Sequence, residues 1–331
     1  MKKIAIVGAG FSGLGLCYHL LQIPGEKQVV VFDGKGIGGG ASGIASGLLH
    51  PFPGESGKLS WKGREGIAAT LQLLKAVGKS AYKETGILRL AMSAKQQKLF
   101  QERADQEEDV EWWGPEQCRS YVPGGHYLPG MFIRSGITVH AASYLSKLWK
   151  ICENLGAKLV LKQVSLKNLE DFDQVVLATG GGVKAFNLGL DLKLNKGQIL
   201  VCQKPKYWTQ ESSLIGKGYL ALSEKEDECY LGSTYEHDFI TPDPCLGTAT
   251  HLILKQIGQF IPSYSSFHVR DCLAEIRVAN RKGYRPIVQE VKPGVFVMTA
   301  MGSRGLLYHS YLGRILAEAM LQRKPILEEV G

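Results

Sequence analysis

The start of the chain follows a pattern of apolar and small residues that predicts a strand, a tight turn and a helix. Residues 4–7 are an unbroken apolar run, typical of a strand buried on both faces of a parallel sheet. Gly8, Gly10 and Gly13 follow at once, then a leucine-rich segment of helix length and a second apolar run at residues 29–32. Together these features predict a βαβ unit.

Later segments of the chain show the same kinds of element, apolar strands next to glycine turns and amphipathic helices. Residues 142–161 place apolar side chains at helical spacing before a glycine and a strand; these side chains are Leu145, Leu148, Trp149, Cys152 and Leu155. Residues 174–182 are an apolar strand ending in Thr-Gly-Gly, and residues 294–321 suggest a strand, a glycine loop and a long helix. We therefore predict a Rossmann-like α/β fold in which these elements return to one sheet.

Asp33 ends the second apolar run and stands 20 residues after Gly13. A carboxylate at this distance from a Gly-x-Gly-x-x-Gly turn is placed to hydrogen-bond a ribose hydroxyl of a dinucleotide. The glycines let the backbone approach a pyrophosphate, and the helix N-terminus supplies partial positive charge. Asp33 argues against NADP, whose extra phosphate it would repel, and leaves NAD and FAD open. The alternative is an ordinary βαβ turn with a chance aspartate.

Residues 36–51 (GIGGGASGIASGLLHP) are rich in small residues. Such a segment lets the backbone lie against a large flat ligand, although a flexible loop is the alternative. The helix that follows the glycine loop at residues 302–306 would direct its N-terminus at a ligand. In a flavoprotein this geometry suits the pyrimidine end of the isoalloxazine, where negative charge develops on reduction.

In chain order, these motifs resemble the FAD-dependent D-amino-acid oxidase superfamily, which includes glycine oxidase and sarcosine oxidase. The motifs are GAGFSG at residues 8–13 with Asp33, GASG at 40–43, ATG at 178–180 and GSRGL at 302–306. The likeness covers essentially the whole chain. A narrower likeness, carried by GLLHP, GYLALSEKEDECYLGSTYEHD and AMGSRGL, is to the oxidase half of the bifunctional enzymes that mature tRNA wobble uridines.

The resemblance implies a glutathione-reductase-like FAD-binding domain, with noncovalent FAD, and an inserted β-sheet-based substrate domain. We expect residues 1–79, 136–192 and 276–331 to form the first domain, and residues 80–135 and 193–275 to form the second. The residues expected to contact FAD are Gly8, Ala9, Gly10, Phe11, Ser12, Gly13, Asp33, Gly40, Ala41, Ser42, Gly47, Leu48, Ala178, Thr179, Gly180, Gly302, Ser303, Arg304, Gly305 and Leu306.

Unlike the bifunctional enzymes, the protein is expected to have no methyltransferase domain before residue 1. We therefore expect either a stand-alone oxidase for the same base or a relative with another amine substrate. In the proposed substrate domain, residues 198–201, 219–222 and 230–235 are strand-like, and TGILRL precedes a charged helix.

Arg277 and Arg304 are the candidate substrate-binding cations. In the superfamily an arginine at the first position commonly pairs with the substrate carboxylate, and an arginine in the last glycine loop can line the same pocket. A guanidinium offers a fixed two-pronged fork to a carboxylate, although a phosphate contact or surface ion pair is the alternative. Tyr219, Tyr235 and His50 are further pocket candidates. The tyrosines could equally pack across a sheet, and the histidine could close a turn.

The segment after Arg277 departs from the superfamily, which usually has an acidic residue before Gly-x-Pro. Here the run at residues 280–286 is basic, with Arg281, Lys282 and Arg285 around Tyr284. This run is a candidate contact for tRNA phosphates, and a solvated turn is the alternative.

Composition narrows the setting. The 331-residue chain carries a net charge of +8, which favours an anionic substrate or partner, or only a basic surface. Seven scattered cysteines without a CxxC pair suggest free thiols and no metal site. The sequence has no apolar run long enough for a membrane span and no signal-peptide pattern, so we expect a soluble, cytoplasmic protein.

Three functions remain open at this point. The leading one is an FAD-dependent oxidoreductase acting on the carboxymethylaminomethyl group of tRNA wobble uridine. The second acts on a free small amino acid such as glycine, sarcosine, proline or a D-amino acid. The third is a flavin-binding protein without catalysis. No residue suggests a catalytic base, which agrees with hydride transfer to a flavin, since there the protein supplies orientation and a dry site.

Overall fold

The computed structural model describes residues 1–283 and 285–327, so Tyr284 and residues 328–331 lie outside it. In this part of the chain the α-helices are α1 Phe11–Gln22, α2 Gly63–Val77, α3 Ala94–Gln106, α4 Pro115–Tyr121, α5 Ala141–Asn154, α6 Leu246–Ile257 and α7 Gly305–Gln322. Short 3₁₀ turns occupy Lys79–Ala81, Leu166–Leu169, Gly180–Phe186 and Pro262–Ser266.

The strands of the described residues form three sheets. They are β1 Lys2–Val7, β2 Lys27–Asp33, β3 Leu48–Leu49, β4 Tyr82–Lys83, β5 Ile87–Leu90, β6 Val110–Trp113, β7 Gly130–Ile133, β8 Ile137–Val139, β9 Lys158–Leu161, β10 Gln174–Leu177, β11 Leu192–Gln203, β12 Ser213–Ile215, β13 Tyr219–Leu222, β14 Glu228–Gly232, β15 His268–Asn280, β16 Ile287–Lys292 and β17 Val295–Thr299.

The first sheet has the order β16-β17-β10-β1-β2-β9 and is parallel except for β16. Strands β1, β2, β10 and β17 are the apolar runs of the sequence, and α1, α5 and α7 pack against one face with the largest apolar cluster. The predicted βαβ unit and Rossmann-like α/β fold are confirmed.

Helices α1 and α7 pack with their backbones almost in contact. A Cβ atom on Gly15 would lie 2.8 Å from the carbonyl oxygen of His309, and one on Gly313 would lie 2.9 Å from the amide nitrogen of Leu16. Each helix therefore needs its glycine where the other crosses. The close crossing fixes the amino end of α7 beside the amino end of α1.

The second sheet has eight strands in the order β15-β11-β14-β13-β12-β5-β7-β6. One face is covered by α6 and its apolar cluster, while the other faces the first sheet's glycine loops. The strand expected at residues 230–235 ends at Gly232. Beyond it, the Thr234 N–H still donates to the Gln198 carbonyl oxygen at 3.1 Å, but the Gln198 N–H donates to the Thr234 hydroxyl at 2.9 Å and not to a carbonyl.

The six-stranded and eight-stranded sheets are built from the two expected sets of domain segments, except that strands β11 and β15 extend past the expected domain boundaries. β11 begins at Leu192, and β15 runs on to Asn280 past the boundary placed after residue 275. The two-domain division remains our proposal, with that boundary inside one continuous strand. Within residues 1–283 and 285–327, no helix combines the length and apolar character that crossing a membrane requires.

Candidate cofactor and substrate site

A cavity of about 670 Å³ lies where the carboxyl ends of β1, β2, β10 and β17 face the eight-stranded sheet. Ligands of open α/β sheets bind outside the carboxyl ends of the strands. The volume of this cavity falls in the range of about 300–1,000 Å³ that is typical of small-molecule sites. The cavity is therefore the candidate functional site.

The turn after β1 has no room for a side chain at its three glycine positions. Gly8 has φ +114°, and a Cβ atom there would overlap the Ala178 carbonyl oxygen. A Cβ on Gly10 would lie 2.7 Å from Ser42 Oγ, the atom that accepts a 3.0 Å hydrogen bond from the Phe11 N–H. A Cβ on Gly13 would overlap the Gly8 carbonyl oxygen, so this glycine lets α1 pack onto the turn.

Asp33 lies on the cavity wall and braces the turn. Its Oδ2 accepts from the Ala9 N–H at 2.8 Å, and its Oδ1 accepts from the N–H groups of Lys35 and Gly36 at 2.8 and 3.0 Å. The carboxylate therefore holds the loops after β1 and β2 together. A contact with a ribose hydroxyl stays a prediction.

Most residues expected at the cofactor line this cavity. Ala9 and Gly13 do not, because they lie beneath the turn. The lining set is Gly8, Gly10, Phe11, Ser12, Asp33, Gly40, Ala41, Ser42, Gly47, Leu48, Ala178, Thr179, Gly180, Gly302, Ser303, Arg304, Gly305 and Leu306. The sequence motifs, far apart along the chain, thus surround one space.

The cavity wall fits a large, flat, anionic dinucleotide such as FAD. The hydroxyls of Thr179 and Thr299 are buried on the wall and have no hydrogen-bond partner among the described residues. The amino ends of α1 and α7, at Gly10 and Arg304, both border the cavity. Helix amino ends stabilise negative charge, and unpartnered buried hydroxyls suit a polar ligand. Residues Gly8–Ser12 would hold its pyrophosphate, and Gly302–Leu306 its flavin end.

Arg277 reaches the cavity from β15, across from Asn195 on β11. Gly197 leaves space for the guanidinium, because a Cβ there would overlap Nη2. Nη2 donates to the Thr234 carbonyl at 3.1 Å, whereas Nε is buried and has no partner among the described residues. Nη2 of the guanidinium is thus held by a backbone carbonyl, while Nε remains able to donate a hydrogen bond to a ligand.

Tyr219 projects into the same cavity from β13. A Cβ on Gly232, directly opposite, would overlap its phenol, so the glycine makes room for the ring. Burial raises the pKa of Tyr219, opposed by hydrogen bonding to Ser46, the charge of Arg277 and hydrogen bonding to Ser233. The phenol therefore keeps its proton at neutral pH and can donate a hydrogen bond into the cavity.

Arg304 and Tyr235 occupy different positions relative to the cavity. Arg304 lies on its wall as the residue before α7. Tyr235 does not line it: the side chain is 60% exposed, and its ring centroid lies 5.5 Å from Cζ of Arg277. The structure therefore moves Tyr235 from the predicted pocket to the outer side of Arg277, because regular pairing with β11 ends at Gly232 and resumes only with a shifted register, at the Lys196–Glu236 bridge.

Sequence reasoning missed other residues of the wall. Arg89 is 6% exposed and reaches it from β5, and Lys35 forms a 2.9 Å ion pair with Glu275 across it. An arginine inside the apolar strand ILRL was the available signal for Arg89. His50, which the sequence did offer as a pocket candidate, lines the cavity too, and burial together with the charge of Arg89 lowers its pKa to about 3, so the imidazole is neutral.

The cysteines and acidic groups of the described residues form no metal site. No group of three or more His, Cys, Asp or Glu side chains is arranged to hold a metal ion in the described ranges. The seven cysteines are all free thiols; Cys245 is exposed and the others are buried.

Residues 3–319 match the protein family described as FAD dependent oxidoreductase, and the chain belongs to this family. It is therefore an FAD-dependent oxidoreductase with FAD as its cofactor. The glycine turn at residues 8–13, called the glycine cradle below, would hold the pyrophosphate of that cofactor.

Two curated relatives carry the name tRNA 5-methylaminomethyl-2-thiouridine biosynthesis bifunctional protein MnmC. The protein from Maricaulis maris is 23% identical over 99% of this chain and 53% of its own length. The one from Leptospira interrogans is 20% identical over 98% of this chain and 58% of its own length. The chain thus spans only about half the length of the curated relatives that it matches.

Solved structures share the fold over nearly the whole chain. Glycine oxidase from Bacillus cereus has a TM-score of 0.80 at 16% identity, covering 98% of this chain and 96% of that one. Iminodiacetate oxidase from Chelativorans has a TM-score of 0.80 at 18% identity, covering 99% and 98%. L-proline dehydrogenase from P. horikoshii has a TM-score of 0.79 at 16% identity, covering 99% and 95%. At these identities the likeness establishes the fold.

Proposed function

We propose that the protein oxidises a C–N bond of an amine that carries a carboxylate, with the carboxymethylaminomethyl group of tRNA wobble uridine as the favoured substrate. The observation that carries the proposal is the position of Arg277 on the wall of the cavity that the glycine cradle borders: its guanidinium is anchored, and its Nε has no hydrogen-bond partner within residues 1–283 and 285–327. A carboxylate in this cavity would find a charge-assisted donor in it.

Arg277 and Tyr219 orient the substrate in this proposal. The guanidinium pairs with the carboxylate, and the protonated phenol of Tyr219 donates to the same group. Both groups project from one rigid sheet, which limits the positions the reacting carbon can take. When bound, the flavin would accept the hydride that leaves the carbon next to the amine nitrogen. The protein's own contribution is charge pairing, orientation and exclusion of water.

The tRNA substrate is favoured by the curated relatives and by the basic run after β15. Lys282 is exposed there, Arg281 forms a 3.0 Å ion pair with Asp191, and Arg285 lies with Cζ 5.6 Å from the Trp61 ring centroid. Tyr284, the aromatic residue of this run, lies outside the described residues. Lysines and arginines that contact phosphates give affinity without sequence preference. Such a function would place the protein in the cytoplasm.

A free small amino acid is the second candidate substrate. It is favoured by the glycine oxidase, iminodiacetate oxidase and proline dehydrogenase structures that share the fold. The two substrates share the carboxylate beside the amine, so both would use Arg277. They differ in whether a polyanion must bind outside the cavity.

Modified-nucleoside analysis separates these candidates. Bulk tRNA containing carboxymethylaminomethyl-uridine would be incubated with the holoenzyme and digested to nucleosides. Loss of that nucleoside, with gain of the aminomethyl product, supports the tRNA substrate. No change in the tRNA, together with oxidation of glycine, sarcosine or proline under the same conditions, would assign the free amino acid instead. A protein that oxidises neither, with its flavin intact, would be a flavin-binding protein only.

A further inference from the structure

Arg89 is a buried cation for which the proposed chemistry has no use. It is 6% exposed, on β5, and it lines the cavity beside His50 and Gly54. Its Nη1 donates to the Phe52 carbonyl oxygen and its Nη2 donates to the Gly54 carbonyl oxygen at 2.6 Å. Its Nε is buried without a hydrogen-bond partner in the described part of the chain.

The neighbours of Arg89 leave its charge unbalanced. Its guanidinium lies 5.1 Å from the Phe100 ring centroid, and its contacts are neutral carbonyls. Burial lowers its pKa to about 10, with no acidic group acting against this shift, so the side chain remains cationic at neutral pH. His50 is kept neutral beside it. Buried charges in proteins are normally paired, so an unpaired one on a cavity wall suits an anionic ligand.

Arg89 and Arg277 are far apart on the same face of the same sheet. A row of directly opposite residues crosses the sheet, consisting of Ile199, Gly232, Tyr219, Ile215 and Arg89. Arg277 lies on β15, which is five strand-to-strand steps from β5. At about 4.8 Å per step, the two backbones are roughly 24 Å apart. One small carboxylate cannot reach both cations.

We propose that Arg89 is an oxyanion subsite of the cavity, separate from Arg277, which binds a second anionic group at the far end of an elongated substrate. A nucleotide phosphate and a remote second carboxylate share the chemistry that a guanidinium recognises. The inference rests on the proposed function only in taking the carboxylate next to the amine to lie at Arg277.

Calorimetric titration of the oxidised holoenzyme tests the subsite without turnover. The probes are inorganic phosphate and acetate. We expect phosphate to bind the wild type and to bind equally when acetate is saturating, because the two anions occupy different cations. Absence of phosphate binding, or competition between the two anions, would overturn the proposal. This measurement needs no variant, and its result does not depend on whether the protein oxidises an amine.

Variants of the two arginines then show which of them binds the phosphate. Arg89→Met should weaken phosphate binding by about tenfold or more, the scale of a lost charged hydrogen bond, and leave acetate binding and flavin content unchanged. Arg277→Met should do the reverse. Arg64→Met is the matched control, since Arg64 likewise lies over an aromatic ring, that of Phe52, but is already paired with Glu107 and Asp109 at 2.6 Å. Loss of flavin in Arg89→Met, or unchanged phosphate affinity, would contradict the subsite.

The two anion sources are separated by pairs of ligands. Uridine monophosphate is compared with uridine, and sebacate, a long dicarboxylate, is compared with decanoate, each in wild type and Arg89→Met; Arg89→Lys, which keeps the charge but not the guanidinium fork, replaces Arg89→Met if that variant does not fold. An Arg89-dependent gain only for the nucleotide assigns a phosphate, and a gain only for sebacate assigns a second carboxylate. A gain for neither pair contradicts the proposal.

Discussion

Arg277 is the residue on which the proposed chemistry depends most directly. Its guanidinium is held by the Thr234 carbonyl and over Gly197, so its orientation is set before any substrate binds. Arg277→Ala would leave a largely desolvated carboxylate without its partner, a loss of roughly 2–5 kcal/mol. We expect kcat/KM for the amine to fall on the order of thirty- to several-thousand-fold.

Flavin content is the control for Arg277→Ala, because the glycine cradle does not include this residue. Arg277→Lys should recover part of the activity, since an ammonium keeps the charge but not the two-pronged geometry. Near-normal turnover in Arg277→Ala would move the carboxylate to another cation of the wall. Loss of flavin would make Arg277 a cofactor residue.

Substitution of Gly10 tests whether the glycine cradle holds FAD. A Cβ there would lie 2.7 Å from Ser42 Oγ, so Gly10→Val should displace Ser42, break its bond with the Phe11 N–H and abolish FAD binding. Gly247→Val is the matched control, because a Cβ at Gly247 has no atom within 4 Å. Flavin content after gel filtration is the readout; a yellow Gly10→Val protein with normal stoichiometry would refute the assignment.

At the scale of elements, α7 is fixed by a buried histidine as well as by glycines. His309 Nδ1 donates to the Leu306 carbonyl at 2.9 Å, and the Tyr144 hydroxyl of α5 donates to Nε2 at 2.6 Å. Burial lowers the pKa of His309 from 6.5 to about 4, so it is uncharged in the native protein. The neutral ring ties α5 to the first turn of α7, which lines the cavity.

This histidine makes stability depend on pH in a defined direction. Its stabilising contribution is complete above the unfolded pKa of 6.5 and is lost as the pH falls toward about 4, because the unfolded chain takes up the proton first. The loss is about 3 kcal/mol by pH 4. His309→Gln should flatten the fall of the unfolding free energy between these pH values, whereas His251→Gln, at an exposed site, should not. Equal slopes would show that His309 is not buried in its neutral form.

The elements also show where sequence reasoning stops. Strands β1, β2, β10 and β17 of the six-stranded sheet contain continuous apolar runs, which local pattern reveals, whereas β16 (IVQEVK) does not. Helix α6 was not located in advance, because only strand-like runs were identified in the segment 193–275 of the sheet-based substrate domain. Its buried residues Ala249, Ile253 and Ile257 recur every four positions, but threonines and isoleucines favour strands, and packing on the eight-stranded sheet decides the outcome. Arg89 was marked only by being an arginine inside the apolar run ILRL, and its place on the cavity wall could not be predicted because its carbonyl partners come from another loop.

At the scale of the whole molecule, two sheets face each other across one cavity. The first supplies strand ends, glycine turns and helix amino ends, all carried by motifs that a sequence reveals. The second supplies Arg277, Tyr219 and Arg89 from three separate strands. Their meeting depends on strand order and register, which no local pattern contains, and Tyr235 was misplaced for the same reason.

Salt dependence of tRNA binding tests the basic run outside the cavity. If tRNA is the substrate, affinity should fall steeply as salt rises, because phosphate contacts release counterions. Lys282→Glu with Arg285→Glu should make that slope shallower. The control is Lys95→Glu with Lys98→Glu, which makes the same charge change on the exposed side of α3. Equal slopes for the two double variants, or a flat wild-type response, would count against this run as the tRNA contact.

Anaerobic reduction of the bound flavin is the most direct test of amine oxidation in this cavity. Oxygen-free holoenzyme would be mixed with carboxymethylaminomethyl-uridine or with sarcosine, and the visible flavin absorbance followed in wild type and Arg277→Ala. We predict that at least one of these carboxylate-bearing amines bleaches the wild-type flavin, and that the variant is slowed while still being bleached by dithionite. A wild-type flavin that dithionite reduces but neither amine bleaches would contradict the proposed function.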